Sequence, residues 1–138
     1  MSNLFVDTSG WASLFVNTQP YYPQAERYFR LAVQQQEIIY TTNYIITELV
    51  ALLNSPLRVD RLRIFEIVDA IKTVAYVEVI HIDDETDALA WKLCKSRVDK
   101  AWSLVDCTSF VVMKQKSCQE ALTTDRHFEQ AGFVRLLK

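Results

Sequence analysis

Leu4-Phe5-Val6-Asp7-Thr8-Ser9-Gly10 is the stretch from which the fold can be read. Three apolar residues without polar alternation suit a strand buried on both faces, and the Asp-Thr-Ser-Gly that follows carries side chains that start helices. The same change from strand to helix recurs along the chain. Ile38-Ile39-Tyr40 reads as a strand, with Thr41, Thr42 and Asn43 as caps for a helix reaching residue 54. Residues 76–82, rich in valine and isoleucine, read as a strand, and Asp83-Asp84-Glu85 opens a helix ending near Arg97. Ala121-Leu122-Thr123 reads as a strand before a short helix at 126–131, and Phe133-Val134 as the last strand. Further helices are expected over 9–16, 23–36, 60–74 and 103–115, the fourth interval opened by Ser103. For 60–74 the apolar stripe is read as Leu62, Phe65, Ile67, Val68 and Ile71. Apolar strands alternating with helices predict an α/β fold: a three-layer α/β/α sandwich around a mainly parallel sheet.

The chain has 138 residues, half of them hydrophobic, with only two glycines and three prolines. That is enough for one core and not for two, so a single domain over 1–138 is expected. Fifteen Lys and Arg against 17 Asp and Glu give a formal charge of −2, which excludes a polybasic nucleic-acid binder. A nuclease is compatible with this balance, because its active site consumes acids: with four set aside for a cation, 13 acids face 15 bases elsewhere. Cys94, Cys107 and Cys118 are odd in number and lack C-x-x-C spacing, so neither a disulfide framework nor zinc is expected. The only histidines, His81 and His127, form no ligand pair with a cysteine. The opening residues from Met1 to Asp7 lack a basic leader, and the least charged apolar stretch, 44–53, is too short to span a bilayer. A cytoplasmic protein with no membrane partner is expected.

In an open parallel sheet ligands bind beyond the carboxyl ends of the strands. Asp7 ends the first strand, Asp125 follows a late one, and Asp106 lies in the first turn of the helix opened by Ser103. Glu48 is the single charge in the ten residues 44–53. Each aspartate also has a structural reading: Asp7 and Asp125 as helix caps, and Asp106 as the partner of Ser103 in a capping box. Glu48 could sit on a narrow solvated stripe of its helix, although in so apolar a helix its position is harder to explain by packing. If the four converge, each pair at about 5 Å and an effective dielectric near 20 repels by roughly 3 kcal/mol. Either their pKa values rise or a divalent cation enters. Oxygen ligands favour Mg²⁺ or Mn²⁺, and such an ion acting on a phosphoryl group implies phosphodiester hydrolysis.

Four segments carry a family resemblance. Val6-Asp7-Thr8-Ser9, Thr47-Glu48, Ser103-Leu104-Val105-Asp106 followed by Cys107-Thr108-Ser109-Phe110, and Leu122-Thr123-Thr124-Asp125 resemble the signature segments of PIN-domain ribonucleases. The small VapC-type toxins of toxin–antitoxin pairs are the most similar group, and the resemblance spans nearly the whole chain. It implies a metal-dependent endoribonuclease, a homodimer and a cognate antitoxin. It further implies that Asp7 and Asp106 are the main ligands of Mg²⁺ or Mn²⁺, with Glu48 and Asp125 completing the pocket directly or through water. Thr8, Ser103 and Thr123 stand where the family carries hydroxyls that orient carboxylates or water; capping and turn hydrogen bonds explain them equally.

RNA binding at a net charge of −2 requires segregated bases. Arg58, Arg61 and Arg63 form one group; Lys92, Lys95, Arg97 and Lys100 lead towards Ser103; Lys114, Lys116 and Arg126 are further candidates. Lys100 and Arg126 lie nearest the acids in sequence. Trp102 offers either a stacking surface for a base or a packing residue. Tyr21, Tyr22, Tyr28 and Phe29 offer either a partner groove or core. Two other classes compete with the nuclease. A non-catalytic PIN-like module binding RNA or protein would tolerate loss of an acid, whereas all four are present. A response-regulator-like phosphoacceptor wants adjacent acids after the first strand, where this chain has Asp7-Thr8-Ser9-Gly10.

Overall fold

A computed structural model describes residues 3–138; Met1 and Ser2, part of the expected leaderless start, lie outside the described residues. Five strands form one sheet: β1 (Asn3–Val6), β2 (Ile39–Thr42), β3 (Val77–Ile80), β4 (Cys118–Leu122) and β5 (Val134–Arg135). Their order is β3-β2-β1-β4-β5, and all four pairings are parallel. The helices are α1 (Thr8–Phe15), α2 (Tyr22–Gln34), α3 (Asn43–Asn54), α4 (Arg61–Thr73), α5 (Asp84–Ser96), α6 (Leu104–Gln115) and α7 (Arg126–Gln130). The expected α/β class and parallel sheet are thus found. No described helix is long and apolar enough to cross a membrane.

Strand order decides where a site can form. The chain leaves β1 for β2 on one side, and β4 later pairs with the other side of β1. A crevice opens at the carboxyl ends of two strands where the winding reverses in this way. Here those ends are Asp7, after β1, and Thr123 to Asp125, after β4.

The core explains why the flanking helices stay in register. Phe5, Ile39 and Leu122, from three adjacent strands, are wholly buried. Buried Trp11 on α1 donates Nε1–H to Thr41 Oγ1 at 3.0 Å, and Thr41 donates to the Val6 carbonyl at 3.0 Å. Buried polar groups are thereby paired. Phe110 of α6 meets Phe128 of α7 edge to face, with centroids 5.0 Å apart, and Trp102 packs on its other side at 5.1 Å. Phe128 also touches Phe5. This aromatic stack seats α6 and α7 against β1, which matters because Asp106 lies in the first turn of α6 and Asp125 caps α7.

Several local expectations change. In α4 the buried residues are Ile64, Ile67 and Ile71, while Leu62 and Phe65 are exposed. At about 100° per residue Ile64, Ile67 and Ile71 share one face, and Leu62 lies nearly opposite. Phe65 instead lies beneath the Arg61 guanidinium, 5.1 Å from the ring centre. β2 runs on through Thr42, whose hydroxyl then caps α3 by accepting from Ile45 N at 3.1 Å. β4 starts at Cys118 and ends at Leu122, so Thr123 follows the strand. Phe29 packs edge-on against Trp11 and Tyr76, and Tyr21 and Tyr28 pack against the core, as in the second reading of those aromatics. All three cysteines are free; Cys107 and Cys118 are buried and Cys94 is partly so.

Candidate active site

Each of the three aspartates caps a helix start, and the two oxygens of each differ in their partners. Asp7 caps α1: Oδ1 accepts from Gly10 N at 2.9 Å and from Ser9 Oγ at 2.8 Å. Asp125 caps α7, its Oδ1 accepting from His127 N at 2.9 Å. Asp106 forms the expected capping box, with Ser103 Oγ accepting from Asp106 N and Asp106 Oδ2 accepting from Ser103 N, both at 3.0 Å. Among the described residues no group hydrogen-bonds Oδ1 of Asp106 or Oδ2 of Asp125. Those two oxygens are available to an incoming cation.

Thr123 joins Asp7 to Asp125. Its fully buried hydroxyl donates to Asp7 Oδ2 at 2.6 Å and accepts from Asp125 N at 3.0 Å. Ser9 Oγ lies 3.3 Å from the Thr123 hydroxyl and accepts from Thr124 N at 3.0 Å. Thr8, beside Asp7, donates through Oγ1 to Glu48 Oε1. Glu48 thus reaches the rim through Thr8, while its own residue is exposed, on the narrow solvated stripe of α3. Of the four acids, only Asp106 and Asp125 share, with His127, a group of ligand atoms within 4.8 Å of one another among the described residues; Asp7 is joined to Asp125 through Thr123, and Glu48 is held by Thr8, the neighbour of Asp7.

Burial governs the electrostatics of Asp7. Only 7% of the residue is exposed, and desolvation pushes its carboxyl up to about 7, against hydrogen bonds from Thr123, Gly10 and Ser9 that pull it down. The nearby charge of Asp125 adds a smaller upward push. A buried carboxylate held near neutrality in this way is one whose ionised form lacks a counter-charge.

His127, a histidine without a cysteine partner in the sequence, joins the acidic cluster. Its Nδ1 lies 2.9 Å from Asp106 Oδ2 and 3.4 Å from Asp125 Oδ1. Asp106, Asp125 and His127 offer atoms within 4.8 Å of one another. The signal was the two-residue step from a helix-capping aspartate, which turns the histidine back over the helix start. Ser9 was also missed as a site residue. The expectation of a cluster without histidine is thus corrected.

The basic and aromatic candidates divide. Arg97 forms a bidentate pair with Asp99 at 3.0 Å and lies over the Trp102 ring, and Lys100 lies 3.9 Å from Asp99. Arg126 is exposed at the first turn of α7, one residue from Asp125. Arg63 pairs with Glu66 on α4. Trp102 is a packing residue: it is 8% exposed and donates Nε1–H to Gln130 Oε1 at 3.0 Å, so it offers no free face for a base.

Known proteins place this geometry in a family. The PIN domain matches residues 4–134. The 23S rRNA-specific endonuclease VapC20 of Mycobacterium tuberculosis, from strains CDC 1551 and H37Rv, is 32% identical over 133 residues, 96% of this chain and 97% of that protein. The crystal structure of M. tuberculosis VapC20, described as a sarcin–ricin loop cleaving toxin, superposes with a TM-score of 0.84 at 30% identity, covering 99% of this chain and 100% of that one. With the sheet order, an acidic cluster and a full-length likeness in agreement, the chain belongs to the PIN-domain family, among its VapC-type members.

Proposed function

We propose that the chain is a metal-dependent endoribonuclease, the toxin of a toxin–antitoxin pair, that hydrolyses phosphodiester bonds of ribosomal RNA. The observations that carry this reading are that Asp7 and Asp125, after neighbouring parallel strands, are tied together through Thr123, that Asp106 of α6 meets Asp125 and His127, and that Asp7 is buried and pushed up to about 7. Burying an uncompensated carboxylate is costly for the fold, so its presence points to a charge that arrives with function.

The donor set fits a hard divalent cation. Among the described residues Asp106 Oδ1 and Asp125 Oδ2 have no hydrogen-bond partner, and Asp7 gains from any positive charge beside it. His127 Nδ1 lies 2.9 Å from Asp106 Oδ2 and donates to that carboxylate, and the carboxylate oxygens around it favour Mg²⁺ or Mn²⁺. Asp7 and Asp106 would hold the ion, with Asp125 and Glu48 completing the pocket directly or through water. Such an ion acidifies a bound water and offsets phosphoryl charge.

The chain's own residues supply position. Thr123 fixes Asp7 relative to Asp125, Ser103 fixes Asp106, and Thr8 holds Glu48 towards the rim. Arg126, exposed beside Asp125, and Lys100, in the loop leading to Ser103, would meet RNA phosphates. The ribosomal target is supported by VapC20 acting on 23S rRNA and on the sarcin–ricin loop. Homodimerisation, a cognate antitoxin and a cytoplasmic location complete the reading.

Asp7→Asn and Asp106→Asn test it. Each is expected to abolish RNA cleavage while far-UV circular dichroism stays unchanged; cleavage retained in both would overturn the site.

A further inference from the structure

One oxygen of Asp106 receives two donors. Oδ2 accepts from Ser103 N at 3.0 Å and faces His127 Nδ1 at 2.9 Å. A carboxylate oxygen only accepts, so the imidazole hydrogen on that side resides on Nδ1. The same nitrogen lies 3.4 Å from Asp125 Oδ1, the oxygen already committed to the cap of α7. One ring nitrogen therefore sits against the occupied oxygen of both Asp106 and Asp125, and among the described residues Asp106 Oδ1 and Asp125 Oδ2 have no hydrogen-bond partner.

Local structure dictates this placement. Asp125 caps α7, which puts His127 in the first turn, where side chains lean back towards the helix start. The α6 start, carrying Asp106, is held alongside by the Phe110–Phe128 contact at 5.0 Å. His127 is partly buried, its side chain 29% exposed, so the ring has a packed seat.

We propose that His127 is a positioning residue that acts through Nδ1: it draws the occupied oxygens of Asp106 and Asp125 together and turns their free oxygens towards a shared cation. It is not itself a ligand. This inference rests on the proposed metal-dependent reading of the site. A donor bound to a ligating carboxylate orients it and limits its rotation, and loss of such partners weakens metal affinity about 10–100-fold.

The test is Mn²⁺ binding by titration calorimetry, without RNA, on the full chain and on His127→Ala, His127→Asn and His127→Gln. Asn places an amide N–H near the position of Nδ1, whereas Gln places one nearer Nε2. Ala is expected to weaken Mn²⁺ binding about 10–100-fold. Asn is expected to restore it to within about threefold, and Gln to bind as weakly as Ala. RNA cleavage at saturating Mn²⁺ should recover in the Asn variant, with circular dichroism unchanged throughout. Unchanged affinity in the Ala variant would overturn the proposal. Rescue by Gln and not by Asn would also overturn it, making Nε2 a direct ligand. A native chain that binds Mn²⁺ with this dependence on His127 yet cuts no RNA would uphold the positioning role and defeat the nuclease reading. A native chain that binds no Mn²⁺ would defeat both.

Discussion

The Thr123 hydroxyl lies 2.6 Å from Asp7 Oδ2, bridging 116 positions of sequence and the two strand ends where the sheet reverses its winding. The same oxygen accepts from Asp125 N, so one buried hydroxyl ties two site aspartates to a common frame. The first prediction concerns this atom. Thr123→Val keeps the shape but leaves Asp125 N without its acceptor and Asp7 without its Thr123 donor, a loss of about 2 kcal/mol. Urea unfolding measures it, and Thr123→Ser should recover most of the loss. Asp7 would also become harder to ionise, so Mn²⁺ affinity at neutral pH should fall in the Val variant.

Asp7 gives the chain a defined pH response. Burial raises its carboxyl from 3.8 to about 7 in the fold, so folding favours the protonated form. The contribution to stability is present in full below 3.8, is lost as pH rises towards about 7, and stays lost above it. At 1.36 kcal/mol per pH unit the loss is up to about 4 kcal/mol. Metal-free Asp7→Asn lacks this titration, so its Tm should gain on the native chain between pH 4 and 8. Added Mn²⁺ should narrow the gap by stabilising the native chain. Parallel Tm curves over that range would contradict the burial argument.

Gly10 is required by close approach. A Cβ there would stand 2.0 Å from the Leu122 carbonyl oxygen and 2.9 Å from Val6 Cγ1. Backbone cannot yield as a side-chain tip does, so Gly10→Ala must lift α1 from β4 and disturb the Asp7 cap. A loss of about 3 kcal/mol or more is expected in denaturant unfolding. A change under 1 kcal/mol, on the order of an ordinary surface substitution, would mean that α1 has room to move.

Glu48 separates function from stability. It is exposed and its carboxylate accepts from Thr8, a bond that Gln can keep through its carbonyl oxygen. Glu48→Gln should change unfolding free energy by no more than about 0.5 kcal/mol. Removing the charge beside the cation should lower cleavage by about tenfold or more. Equal cleavage by both proteins would remove Glu48 from the site.

Much of this was legible in the sequence because strand ends announce themselves. Leu4-Phe5-Val6-Asp7 and Leu122-Thr123-Thr124-Asp125 each place an acid where an apolar run stops, and parallel pairing brings those ends together. The capping readings of Asp7, Asp106 and Asp125 were also right, because one oxygen caps and the other remains for the site. Of these three, and among the described residues, Asp7 alone has protein partners on both oxygens. What failed required spatial knowledge. His127 had no sequence partner, since its partner Asp106 lies 21 positions away on another helix. Trp102 gave no sign that α7 would supply Gln130 to its indole. In α4 hydrophobicity alone did not separate Leu62 from Ile64; packing against α3 and β3 selected the face.

The central claim is that these carboxylates hold a cation that enables RNA hydrolysis. Its most direct measurement is cleavage of purified 23S ribosomal RNA by the antitoxin-free chain with Mg²⁺, with Mn²⁺ and with chelator, using Asp106→Asn as the blank. The account predicts discrete cuts with either ion, none with chelator and none from the blank. Cutting that persists under chelation, or that Asp106→Asn retains, would contradict it.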